Sequence, residues 1–319
     1  MPEALYDPVM LVLALGLDLA FRELPNRLHP TAWMGHTVSW AEKLSPTGPK
    51  SSLVAGVIMV ALIAGGWTAT AFFAVQGLRE IHYLAYILVG AALLKTTFAV
   101  KMLGQAAYRV RNLLAANDLD QVRANMSSLV SRDPSNLTPE QAAAATVESV
   151  SENMSDGFIG PWLAFALFGL PGAVAYRAIN TLDSMIGYHG RYEYLGKAAA
   201  RLDDLINLVP SRLTGLLLVA ASLFLPGQHP VRAWRIMWRD HSRTESPNAG
   251  WPMSAMAGSL GVQLEKLTAS SENVYRLGDQ DHPVEHQDIT RSVHSMYLVA
   301  GLGIVLVLGL TYIRASLIW

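Results

Sequence analysis

Residues 51–78 read SSLVAGVIMVALIAGGWTATAFFAVQGL, a stretch without a single Asp, Glu, Lys or Arg. A bilayer core about 30 Å thick is crossed by roughly 20 apolar residues in helical form. Soluble core helices seldom stay uncharged for so long, so this stretch reads as a membrane crossing. Working outward, 157–176, 213–231 and 292–313 are also free of those four residues, while 81–101 is interrupted by Lys95 and 5–21 by Asp7 and Asp18. The 319 residues are 51% hydrophobic and 15% charged. Soluble domains carry about 25% charged residues, and the shortfall here is concentrated in these runs. Helices are expected at about 5–21, 53–76, 82–100, 158–180, 211–226 and 294–313, with polar segments between them and a tight turn at 77–81.

The fold class that follows is all-α: a polytopic integral membrane protein with four to six transmembrane helices and helical cytoplasmic segments. Residues 1–319 read as a single membrane-embedded catalytic domain, its site contributed by the extramembrane segments 101–157, 181–210 and 227–293. The start Met1-Pro2-Glu3 is acidic where a signal peptide would be basic, so the first helix reads as retained. The absence of cysteine excludes disulfides, thiolate zinc sites and cysteine nucleophiles. A net charge of −1 leaves no basic footprint for nucleic acid.

Arg22, Arg27, Lys43 and Lys50 place the 22–50 loop, and with it 101–157, in the cytoplasm. If 158–180 and 211–226 both cross, 181–210 lies on the opposite side from 101–157 and 227–293. The breakers Gly160-Pro161 and Gly169-Leu170-Pro171-Gly172 offer a way out. Such a segment can be re-entrant where it is buried in protein or lines a cavity.

Four polar constellations stand out. Thr138-Pro139-Glu140-Gln141 is a helix start, with Thr as N-cap, Pro at the first position and Gln at the third. The helix it opens carries Glu148, Glu152 and Asp156 at four-residue spacing, with Ser149 and Asn153 between them. Like charges on one face repel, and Mg²⁺, which takes one or two carboxylates plus substrate phosphates, would compensate; a solvated acidic face is the plainer alternative. Arg177, Asn180 and Asp183 fall three apart at the end of an apolar run, where an arginine alone often just snorkels. Asp203, Asp204 and Asn207 precede Pro210-Ser211-Arg212. Ser246-Pro247-Asn248-Ala249-Gly250-Trp251-Pro252 reads as an ordered turn rather than helix or strand, suited to packing or to ligand recognition. Lys95 could pair with Asp18 or a site carboxylate, or snorkel. No phosphate-binding G-x-x-x-x-G-K-[ST] loop or H-E-x-x-H motif occurs, and His282 and His286 read as surface histidines.

Together, Val147-Glu148-Ser149, Glu152-Asn153 and Asp156-Gly157, then Tyr176-Arg177-Ala178 with Asn180-Thr181-Leu182-Asp183-Ser184-Met185, then Ala200-Arg201-Leu202-Asp203-Asp204, then Ser246–Pro252 with Ala255-Met256-Ala257-Gly258, resemble the CobD/CbiB family. These are the adenosylcobinamide-phosphate synthases of cobalamin biosynthesis. His29-Pro30 with Met34-Gly35 resembles that family's N-terminal loop, and the similarity thins after Gly261.

The resemblance implies an ATP-dependent carbon–nitrogen ligase of the cell (inner) membrane with a cytoplasmic-facing site. It would join (R)-1-amino-2-propanol or its O-phosphate to the propionate carboxylate of cobyric acid, giving cobinamide or its phosphate. ATP and Mg²⁺ are implied as co-substrate and metal. The corrinoid, the aminopropanol, the lipid bilayer and other membrane enzymes of late cobalamin assembly are implied as partners. On that footing Glu148, Glu152 and Asp156 are expected to hold Mg²⁺–ATP. Arg177 or Arg212 would stabilise phosphate, and Asp183, Asp203 or Asp204 would be the general base. Asn153, Asn180, Asn207, Asn248 and Trp251 are expected to bind substrate. The alternative is a transporter with intramembrane charges at Asp18 and Lys95.

Overall fold

A computed structural model of the chain describes residues 1–126, 135–267 and 274–318, so the segments at 101–157 and 227–293 are described in part. The helices in order are α1 (Tyr6–Ala20), α2 (Pro30–Lys43), α3 (Pro49–Ile81), α4 (Tyr83–Lys95), α5 (Val100–Ala115), α6 (Leu119–Met126) and α7 (Pro139–Met154). A π-helical turn, Ser155–Ile159, leads into α8 (Gly160–Ile186), α9 (Lys197–Ile206), α10 (Leu208–Ser222), α11 (Pro230–Asp240), α12 (Gly250–Leu260) and α13 (His286–Ile318). Between α12 and α13 the strands β1 (Leu264–Leu267) and β2 (Val274–Leu277) pair antiparallel, Leu264 opposite Leu277.

The all-α polytopic reading holds. Among the described residues, four helical stretches are long and apolar enough to cross a membrane by length and composition alone, Pro49–Ile81, Tyr83–Ala115, Pro139–Ile186 (which bends back at Gly169) and His286–Leu317, and α9 with α10 makes a fifth if counted as one span. Leu62 and Phe73 on α3 are 70% and 71% exposed, which suits contact with lipid rather than water. The turn expected at 77–81 lies later. Helix α3 continues to Ile81, and the chain reverses at His82, whose imidazole accepts a hydrogen bond from the Leu84 amide at 3.2 Å.

The chain divides into two compact units, each built from separated segments. The first comprises Met1–Ala99, Gly160–Ile206 and Ile304–Trp319; the second comprises Val100–Ile159 and Asn207–Gly303.

In the first unit α8 is a folded-back pair rather than a straight rod. Gly169 sits at φ 69°, ψ −161°, outside helical space, and Pro171 follows. In a straight helix residues 160 and 176 would stand about 24 Å apart. Yet a Cβ on Gly160 would strike the Tyr176 ring, and one on Gly172 would lie 2.5 Å from both the Ala164 carbonyl oxygen and the Phe168 Cβ. The two halves therefore run antiparallel with a tip at Phe168-Gly169, as the Gly/Pro breakers imply for a re-entrant segment. Phe168 at the tip is 71% exposed. Arg314 closes the loop from α13: its Nη1 donates to the Phe165 carbonyl at 2.7 Å, and Nη2 meets the Asp7 carboxylate, to which Tyr86 also donates. Because backbone blocks the space at Gly172, Gly172→Leu is expected to lower stability by about 1–3 kcal/mol. Gly65→Leu, where nothing lies within 4 Å of the added Cβ, should be near neutral. Thermal unfolding of both variants in detergent checks the difference.

In the second unit the helix start at Thr138 is the expected capping box. Thr138 Oγ1 accepts from the Gln141 amide at 3.2 Å, and Gln141 Oε1 from the Thr138 amide at 3.0 Å. Asp240, 0% exposed at the end of α11, ties the β-hairpin to the helices. It accepts from Arg239 Nε and Nη2, each at 2.8 Å, and from the Gly278 amide at 2.9 Å, with Arg243 Nη1 3.2 Å away. Burial pushes the Asp240 carboxyl up, but these donors outweigh it and hold it below the ordinary carboxylate range. The carboxylate's contribution is therefore fully present above the unfolded value, near 3.8, and is lost as pH falls through the lower folded value. Asp240→Asn is expected to destabilise at pH 7 by about 1–3 kcal/mol, since it removes the charged acceptor of Arg239 and of the Gly278 amide, while Arg239 keeps Asp279. It should also remove the steepest acid dependence. Melting temperature against pH, wild type beside variant, measures both.

Candidate functional site

Each unit gathers its own set of the motif residues. In the first, the break between α4 and α5 leaves the Thr96 and Thr97 carbonyls outside any helix. Thr31 Oγ1 donates to the Thr96 carbonyl at 2.8 Å. Arg177, from the second half of α8, donates through Nε at 2.7 Å and through Nη2 to the Thr97 carbonyl, and through Nη1 to Asn180 Oδ1 at 3.0 Å. Asn180 Nδ2 in turn donates to Asp203 Oδ1 at 3.4 Å. One chain of hydrogen bonds thus joins the second and third motifs. Asp203 is buried, while Asp183 and Asp204 are half-buried. Arg177 does not snorkel; its guanidinium is a brace.

Beside this chain lies a buried ionic cluster that the sequence only half revealed. Lys95, 5% exposed, meets the Glu23 carboxylate and stands 3.8 Å from Asp18, which is 1% exposed. The question left open for Lys95 is settled in favour of pairing. His29 Nε2 lies 3.3 Å from Glu23, and its Nδ1 caps α2 by accepting from the Thr31 amide at 3.2 Å. Burial raises the Glu23 carboxyl, yet the hydrogen bonds of His29 and Lys95 prevail and hold it below its usual value. Glu23 had no motif to mark it. A lone acid three residues past a membrane helix looks like any surface carboxylate.

In the second unit α7 carries Glu148, 4% exposed, and Glu152 and Asn153 nearer the surface. Asn153 Nδ2 donates back to the Ser149 carbonyl at 2.9 Å. Of the three carboxylates expected on one face, Glu148 and Glu152 lie on α7 and Asp156 lies in the π turn that follows it. Among the described residues no three acidic or histidine side chains gather as a metal cage. An ion held by one or two carboxylates plus phosphates needs less, and the half-buried Glu152 and Asp156 fit that donor set.

The π turn packs on α10 and α7 packs on α12, which brings the first motif into the same unit as Arg212, Asn248 and Trp251. Helix α10 starts earlier than expected, at Leu208, so Ser211 and Arg212 lie in its first turns, where Pro210 costs no hydrogen bond. For the same reason the Asn248–Pro252 segment is partly helical, correcting its reading as a turn: Gly250 opens α12 and Pro252 sits in the first turn. Asn248 Oδ1 accepts from Ser211 Oγ at 3.3 Å and from Arg212 Nη1 at 3.4 Å. Arg212 Nη1 also donates to the Leu208 carbonyl at 2.8 Å, and the guanidinium lies 4.9 Å over the Trp251 ring. His241 lies tilted against the same indole at 4.0 Å and Trp238 meets it edge-on at 5.1 Å. A Cβ on Gly250 would collide with the His241 carbonyl, so only glycine lets this loop close. Trp251 is 6% exposed, and its Nε1 has no hydrogen-bond partner among the described residues. Asn207 is buried, and its carbonyl accepts from Ser211 Oγ at 2.8 Å. His241 was missed because an isolated histidine after Asp240 carries no spacing signal. A guanidinium placed over an indole is suited to gripping an oxyanion.

The family model described as CobD/Cbib protein matches residues 11–296. A cobalamin biosynthesis protein CobD of Dehalococcoides mccartyi is 44% identical over 287 residues, covering 89% of this chain and 91% of its own. The probable cobalamin biosynthesis protein CobD of Methanothermobacter thermautotrophicus is 36% identical over 306 residues, 94% and 98% of the two chains. The cobalamin biosynthesis protein CbiB of Salmonella typhimurium is 35% identical over 305 residues, 93% and 95%. No solved structure matches.

Proposed function

The chain belongs to the CobD/CbiB family of cobalamin biosynthesis, and from that premise we propose that it is an ATP-dependent amide synthase of the cell membrane. It joins aminopropanol, or its O-phosphate, to a propionate carboxylate of cobyric acid. The observation that carries this reading is that motif residues from separate stretches are buried polar groups: Glu148 at 4%, Asp203 at 9%, Asn207 at 1% and Asn248 at 6% exposure. Burying such groups is costly without a purpose.

A carboxylate is a poor electrophile at neutral pH, so it must be activated. In this reading a propionate oxygen attacks the terminal phosphorus of ATP, and the bond to ADP breaks as the acyl phosphate forms. Positioning and charge neutralisation are most of what phosphoryl transfer needs. Arg212 is the better candidate for that charge. It sits stacked and oriented on Trp251, whereas Arg177 commits Nε, Nη1 and Nη2 to Thr97 and Asn180. Glu152 and Asp156, with Glu148 behind them, would hold Mg²⁺, which neutralises phosphate charge when bound. The amine must lose a proton before it attacks the acyl carbon and expels phosphate. In the first unit, where Asn180 donates to Asp203, Asp183 and Asp204 remain the candidates for that general base. Asn153, Asn248 and Trp251 remain the candidates for the corrin's amide periphery, and the site faces the cytoplasm.

A transporter would want mobile intramembrane charges. Lys95 with Asp18 and Glu23, and Arg314 with Asp7, are instead closed pairs inside the first unit. Purified protein given cobyric acid, either amine, ATP and Mg²⁺ should yield the amide by mass spectrometry. Absence of product with both amines would remove the ligase reading.

A further inference from the structure

Helix α11 (Pro230–Asp240) has three faces, each recurring at three- and four-residue spacing, whereas an ordinary surface helix has two. Ala233, Ile236, Met237 and Asp240 are each 0% exposed and pack into the second unit. Arg232, Arg235, Arg239 and, just beyond the helix, Arg243 form a basic row. Its outer edge is bridged by Arg232 to Asp281 and by Arg239 Nη1 to Asp279 at 2.8 Å. The third face is Val231, Trp234 and Trp238, exposed by 81%, 48% and 50%. These rings are held rigid, Trp234 edge-on to Trp238 at 5.7 Å and Trp238 edge-on to the buried Trp251 at 5.1 Å.

An exposed apolar face this regular needs an occupant. Two further observations identify it. Leu223 and Phe224, which follow α10, are likewise 66% and 70% exposed, and α10, which packs on α11, is itself an apolar helix of a membrane protein. The arginines flank the tryptophans, which is how an interfacial helix keeps its cations at headgroup level and its indoles at the acyl boundary. We infer that α11 is an interfacial helix, lying in the plane of the bilayer surface with Val231, Trp234 and Trp238 embedded in lipid. This places the Trp251–Arg212 group one aromatic layer from the membrane.

The absence of native cysteine makes the test clean. Full-length protein in phospholipid nanodiscs carries a single nitroxide at position 231, 234 or 238 on one face, or 235 or 239 on the other. Oxygen, which partitions into lipid, should relax the label several-fold more than a water-soluble nickel chelate at 231, 234 and 238, with the order reversed at 235 and 239. Equal nickel access on both faces would overturn the inference. So would shielding from both reagents, which means a second protein copy, or shielding that arises only on adding corrinoid, which means a substrate-docking face. Because Trp234→Cys and Trp238→Cys disturb the aromatic ladder, Val231→Cys is the primary position. A second measurement leaves the backbone labels out: acyl-brominated lipid should quench wild-type tryptophan fluorescence more than that of the Trp234→Phe/Trp238→Phe variant. Equal quenching counts against the embedding.

Discussion

Glu152→Gln is expected to suppress amide formation by about a hundredfold or more, the usual scale for removing a charge that acts on a transition state, while the folded protein persists. The reasoning rests on accessibility. Glu152 is half-buried on α7, so exchanging its carboxylate for an amide of the same shape leaves packing intact. Glu148, at 4% exposure, is a different case. Glu148→Gln is expected to cost activity together with stability, because the group is embedded among the buried residues of α7. Comparing product yield with melting temperature for the two variants separates the effects. Wild-type activity in Glu152→Gln would remove the carboxylate face from the proposed chemistry.

Arg314→Met is expected to be the most destabilising single change in the first unit, by about 3–5 kcal/mol, the cost of leaving a buried charge without its partner. Arg314 satisfies Asp7, 6% exposed, and also supplies the donor for the Phe165 carbonyl near the hairpin tip. Asp7→Asn alone should also destabilise. The double variant should lose less than the sum of the singles, because neither charge then remains stranded. Denaturation in detergent measures all three. Additive losses would mean that the two side chains are not acting as a pair.

Much of this was legible in the sequence, for identifiable reasons. The charge-free run at 51–78 could only be a lipid-facing helix, and Thr138-Pro139-Glu140-Gln141 is a local code whose two hydrogen bonds form as written. The fold-back was legible because Gly169-Leu170-Pro171-Gly172 sets helix breakers in the middle of an apolar run. Prolines in the first turn of a helix misled, making Gly250–Pro252 look like a turn and delaying the expected start of α10 past Pro210. The π turn that holds Asp156 has no sequence marker. Glu23 and His241 were hidden because their partners, Lys95 and Trp251, are remote in sequence. The β1–β2 hairpin lies where the resemblance thins.

The most direct test of the proposed chemistry follows the oxygen atoms. Cobyric acid labelled with ¹⁸O in its free propionate carboxylate is incubated with the purified protein, the amine, ATP and Mg²⁺, and the released phosphate and the corrinoid product are weighed by mass spectrometry. Activation as an acyl phosphate should place one ¹⁸O in inorganic phosphate for each amide formed and leave the other in the amide carbonyl. Phosphate without label, or label in AMP, would contradict that activation, and no amide at all would contradict the ligase itself.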